Sequence, residues 1–160
     1  MLLPPPLTPP TLVGDALRER GFAVLDAAGL AALSGVGEGG FADLAPLWND
    51  LPPDAYLRDG GRYRRRRHAC LVAEGDRLTV APHRAHWQPV EYNALHGGLE
   101  RWFEPVAPQM IEATAFRRMV HALAACASEL KGAQPWYVEV HQFRIDTTDG
   151  IGRPTPEGAH

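Results

Sequence analysis

One segment sets the terms for the rest of the chain: residues 107–132, APQMIEATAFRRMVHALAACASELKG. Phe116, Val120, Leu123, Ala127 and Leu130 recur at spacings of four and three, which lines them up on one face of an α-helix. Pro108 suits the first turn and Gly132 supplies the stop. A helix with an apolar stripe must lay it against something, and the sequence offers that surface directly afterwards. In WYVEVHQFRI, residues 136–145, the period changes to two. Trp136, Val138 and Val140 point one way, and Tyr137, His141, Phe143 and Ile145 the other. Both faces carry apolar groups, so the segment reads as a central strand with the helix packed on its sheet. The expected class is α+β.

Upstream, Leu12, Ala16 and Leu17 share a helical face that Gly21 ends, FAVL follows as a short apolar strand, and AAGLAALSG reads as a second helix. LPPD marks a turn. Residues 61–74 and DRLTVAPH read as two strands joined by the turn Glu74-Gly75-Asp76. The stretch HWQPVEYNALHGGLERWFEPV has no clean period and reads as irregular. The first ten residues hold five prolines, which fix φ and remove donors, so residues 1–11 are expected to form a disordered, proline-rich arm and residues 12–160 a single domain.

Composition narrows the partners. A net charge of −3 and a pI near 6.1 give no overall basic field for nucleic acid or an anionic membrane. MLLPPPLTPP lacks the basic start and unbroken apolar run of a signal or anchor, and no stretch has the ~18 apolar residues of a spanning helix. Cys70 and Cys126 are too few for a disulfide framework, which points to a cytoplasmic protein.

RYRRRRH, residues 62–68 without the leading glycines, is the strongest local charge feature. On a strand, Arg64 and Arg66 go to one face and Arg65 and Arg67 to the other, which divides the patch. One pair is then solvated or paired with carboxylates, while the other can face a pocket and bind a small anion. Salt-sensitive nucleic-acid binding would need a supporting basic surface that the chain lacks. His83 and His86 share a helical spacing, but Pro82 argues against a helix there, so a metal pair is not expected. No partner is identifiable for His68, His96 or His121. His141 shares its strand with Gln142 and Arg144 and reads more simply as a strand histidine satisfied by backbone. GVGEGG is not a phosphate loop, and neither Ser34 nor Ser128 stands in a nucleophile elbow.

Taken in order, GFAVLD, LPPDAYLRDGGRYRRRRHA, and VHQFRI followed by PEGAH resemble the iron(II)- and 2-oxoglutarate-dependent dioxygenases. The likeness is to the bacterial group that includes free L-amino-acid hydroxylases and biofilm-associated relatives. It runs from about Asp15 to His160. It implies a double-stranded β-helix (jelly roll) with N-terminal and sheet-packing helices, Fe(II) as cofactor, 2-oxoglutarate as cosubstrate, and a free amino acid as small-molecule substrate. Such enzymes hold iron by two histidines and a carboxylate, the first two ligands as His-x-Asp. By position, His160 matches that first histidine as metal ligand, with the aspartate and later barrel strands expected beyond it. The 160 residues are therefore expected to be the N-terminal part of a longer enzyme, inactive alone. Tyr63, Arg65, Gln142 and Arg144 are the candidate substrate- or cosubstrate-binding residues. The rival expectation is a non-catalytic small-molecule sensor on the same fold.

Overall fold

The structure, a computed structural model, describes residues 5–37, 39–56, 63–93 and 97–146. His160 and its loop, and His96, lie outside the described residues. The elements are α1 (Val13–Arg20), α2 (Ala27–Ser34), β1 (Arg64–Glu74), β2 (Arg77–Val80), α3 (Pro108–Glu112), α4 (Thr114–Lys131) and β3 (Trp136–Ile145). Short 3₁₀ stretches occupy Pro10–Leu12 and Ala42–Trp48. The three strands form one antiparallel sheet in the order β2-β1-β3. The class is α+β, a mixture of helices and antiparallel sheet.

The chain folds into two compact units, each built from three separated segments. The first comprises residues 1–45, 72–79 and 108–137. Here α4 packs against α1, α2 and α3. Asp26 caps α2, its Oδ1 accepting from Gly29 N at 2.7 Å, and Gly35 ends it with φ +65°, where a side chain would be strained. Val13, Ala16, Met110, Ile111, Phe116 and Val120 are buried and form its core. The second unit comprises residues 46–71, 80–107 and 138–160. Its buried apolar residues include Leu51, Tyr63, Leu71, Phe103 and Val106.

Three features depart from the sequence expectations. The long helix is broken at Ala113, whose ψ of 128° is extended, so Pro108–Glu112 and Thr114–Lys131 are separate helices. FAVL forms no regular strand: among the described residues Val24 is tied to Thr8, through Thr8 N to Val24 O (2.7 Å) and Val24 N to Thr8 Oγ1 (3.2 Å). A single residue of pairing is too little for a ladder. Within the described sheet β1, not β3, is the middle strand, and Tyr137 and Phe143 on β3 stay exposed. The hairpin expectation holds, with Gly75 at φ +58° turning β1 into β2. None of the described helices is long and apolar enough to cross a membrane.

Candidate metal and ligand site

In the second unit, alternation along β1 decides what each arginine meets. Arg64 and Arg66 turn to Asp54, whose side chain is fully buried: Arg64 Nε donates to Asp54 Oδ2 at 2.7 Å, and Arg66 Nη1 lies 3.9 Å from the same oxygen. Asp54 also accepts from Tyr56 N at 2.9 Å. On the other face Arg65 donates to Leu51 O (3.1 Å), and Arg67 to Glu104 Oε2 (2.9 Å) and Pro105 O (3.1 Å). Both pairs are thus engaged within the fold. Arg66 also lies over the Phe103 ring, 3.9 Å from its centroid. Burial brings the Arg66 guanidinium down to about 10 against the opposing pull of Asp54.

Two positions beyond Arg66 on β1, His68 is fully buried and meets two residues of β3. Strand pairing makes this meeting inevitable, because Glu139 and His141 stand two apart on one face of β3. The fourth member, His86, is fixed by a two-way backbone bridge to Arg101, with N···O distances of 2.9 and 3.0 Å. Glu139 Oε1 accepts from His68 Nε2 and from His86 Nδ1, each at 3.0 Å. His141 Nε2 is 3.7 Å from Glu139 Oε2, and its Nδ1 accepts from Arg66 Nη2 at 2.7 Å. The three imidazole rings lie 4.6–5.4 Å apart between centroids. One donor atom from each of the four residues falls within 4.8 Å of all the others.

Burial alone would raise the Glu139 carboxyl, but the hydrogen bonds from His86 and His68 and the field of His86 and His141 overrule it and hold it at about 2. Burial, then the Arg66 guanidinium, then the two neighbouring histidines lower His141 to about 4. Burial likewise lowers His68 in spite of its bond to Glu139. At neutral pH Glu139 is therefore a carboxylate beside the uncharged rings of His68 and His141. A cleft of about 410 Å³, lined by Arg84, Ala85, Trp87, Glu100, Trp102 and Glu139, reaches the cluster at its carboxylate.

The candidates from sequence lie elsewhere in the same unit. Tyr63 is buried, with its carbonyl accepting from Asp146 N at 2.6 Å. Gln142 is buried and donates to Leu47 O at 3.0 Å, and Arg144 pairs with Asp146 at 3.2 Å. Arg65 is held by Leu51 as above. Sequence reasoning set aside His86 and His141 and found no partner for His68. The signal available was Glu139-x-His141 on one strand face; partners 53 and 71 residues away left no mark on local spacing.

Three imidazoles and a carboxylate gathered in this way could hold a single transition-metal ion through nitrogen and oxygen. A family model described as 2OG-Fe dioxygenase matches residues 45–160, and the chain belongs to that family. Among solved structures, a bsmA homolog from Methylobium petroleophilum PM1 is 45% identical, with a TM-score of 0.83 over 97% of this chain and 63% of its own. The IDO of Bacillus thuringiensis is 12% identical, with a TM-score of 0.58 over 95% of this chain and 64% of its own, a likeness of fold. The chain thus spans less than two thirds of the length of either. No curated protein matches it. The family implies Fe(II) and 2-oxoglutarate, and the described cluster offers donors of the kind Fe(II) takes, two or more imidazoles with one carboxylate.

Proposed function

We propose that the chain belongs to an Fe(II)- and 2-oxoglutarate-dependent dioxygenase that hydroxylates an unactivated C–H bond of a free L-amino acid in the cytoplasm. The observation that carries this reading is the family match across residues 45–160. In this reading β1, β2 and β3 belong to a double-stranded β-helix, and His160 is an iron ligand whose aspartate partner stands two residues beyond it. The chemistry supplied by iron and cosubstrate, when bound, is the reduction of O₂ with one oxygen atom passing to succinate as CO₂ leaves and the other to the substrate.

The cleft supports a zwitterionic substrate. Charged Arg84 and Glu100 line it together with the apolar walls of Trp87 and Trp102. In this reading Tyr63, Arg65, Gln142 and Arg144 are the residues assigned to substrate or cosubstrate. Two unbridged cysteines, Cys70 and Cys126, suit a reducing compartment.

The test is succinate release by the complete protein, loaded with Fe(II) under anaerobic conditions and given O₂, 2-oxoglutarate and a panel of L-amino acids. One amino acid is expected to raise succinate in step with a hydroxylated product. If none lifts it above the uncoupled rate, the amino-acid assignment fails. The rival, a non-catalytic binding protein, predicts saturable binding of a small molecule with no succinate from any substrate.

A further inference from the structure

We propose that His68, His86 and Glu139 form a divalent transition-metal site that does not need His160. The inference goes beyond the proposed function, on which it rests only in assigning the catalytic iron to His160.

Around a six-coordinate ion with bonds of about 2.0–2.2 Å, neighbouring donor atoms stand about 3 Å apart and opposite ones about 4.2 Å. Glu139 Oε1 is 3.0 Å from His68 Nε2 and 3.0 Å from His86 Nδ1, and the whole donor group fits within 4.8 Å. Small rotations of three side chains bring them onto one ion. Replacing two N–H···O bonds by a shared metal moves the proton of each neutral ring to its other nitrogen, Nδ1 of His68 and Nε2 of His86.

The set is further defined by what His141 cannot do. Its Nδ1 accepts from the Arg66 guanidinium at 2.7 Å, so the neutral ring carries its proton on Nε2. That ring has no lone pair to give on the side of Glu139, 3.7 Å away, and acts instead as a support for the carboxylate. Two imidazoles and one carboxylate remain, the combination that leaves open positions for small ligands. Nitrogen-rich donors of this kind select Fe(II), Co(II), Ni(II) or Zn(II) over Mg(II) and Ca(II), which prefer oxygen.

The site has anchorage and an entrance. His68 and Glu139 sit on paired strands, and His86 is locked by its backbone bridge to Arg101. Buried His68 lies at the inner end, while Glu139, 36% exposed at its side chain, lines the cleft and gives an ion its path from solvent.

The experiment is equilibrium dialysis and visible absorption with Co(II), and dialysis with Zn(II), on the complete protein carrying His160→Ala. One bound equivalent is expected. Adding His86→Ala or Glu139→Gln should weaken it by about tenfold or more. A measurement that leaves the cluster intact is proton NMR of the Co(II)-loaded His160→Ala protein, which should show hyperfine-shifted ring N–H signals from two coordinated imidazoles. Loss of all binding with His160→Ala alone, unchanged affinity in Glu139→Gln, or absence of those two signals would overturn the site. Succinate release by the complete His160→Ala protein reads the other assignment: if it persists, the role given to His160 fails while the bound equivalent here still stands.

Discussion

At the scale of single residues, Asp54 is a buried anion of the second unit paired with arginines of β1. Its carboxylate is fully buried, and it is the anion that both Arg64 and Arg66 approach. Breaking a buried pair costs more than never having made it, because the partner charge stays behind in a poorly solvating place. Asp54→Ala strands two guanidinium groups whose side chains are only 14% and 10% exposed. It should lower stability by about 3–5 kcal/mol in chemical denaturation; a loss under 1 kcal/mol would show that water reaches these arginines. His141 gives a second prediction at this scale, for the metal-free protein. Its folded value of about 4 lies below the ordinary 6.5, so between those two pH values the unfolded chain takes up a proton that the folded chain refuses. Stability therefore falls as pH drops from about 6.5 to about 4, by about 2–3 kcal/mol, and this contribution levels off below that. Glu139, held at about 2 from 4.5, extends the loss to lower pH. A denaturation series in chelator-treated protein that stays flat from pH 7 to pH 4 would contradict the buried, neutral imidazole. These residues also show what a linear reading reaches. Strand alternation of Arg64 to Arg67 followed from the sequence, because it needs only a period of two. The partner of each arginine did not, since Asp54, Leu51 and Glu104 become neighbours only through the fold.

At the scale of elements, periodicity and burial part company along α4. Phe116 and Leu123 belong to the same apolar stripe in sequence. In the fold Phe116 is 2% exposed and Leu123 50% exposed. Phe116→Ala should cost about 3–5 kcal/mol through lost contacts and the cavity left behind, whereas Leu123→Ala should stay within about 0.5 kcal/mol. Equal losses at the two positions would mean that the stripe is covered along its length. The helix itself was legible because its repeat is long and both ends are punctuated. The break at Ala113 was not, since Glu112-Ala113-Thr114 holds neither proline nor glycine and alanine favours helix. The β1-β2 hairpin was legible for the opposite reason: Glu74-Gly75-Asp76 demands a positive φ, and glycine supplies it. FAVL misled because apolar, β-branched composition reports a wish to be buried, while a strand also needs a neighbour to pair with.

At the scale of the molecule, three chain segments meet to build each compact unit, so the metal cluster cannot form until the second unit has closed. His68, His86 and the pair Glu139 and His141 come one from each of its segments, residues 46–71, 80–107 and 138–160. An ion bound by such a cluster binds the folded state and has no preformed site in the unfolded one. Binding free energy is then folding free energy. At a free ion concentration about a hundredfold above its dissociation constant, the gain is about 2.7 kcal/mol. For a chain of this size that corresponds to a rise in Tm of about 5–10 °C. Zn(II) added to chelator-treated protein should produce such a shift, and Glu139→Gln should remove most of it, because a neutral amide leaves the ion with imidazoles alone. Arg66 makes that dependence sharp: with a guanidinium against His141, the carboxylate is the charge that makes a cation welcome in the cluster. An equal shift in wild type and Glu139→Gln would place the bound ion elsewhere on the protein.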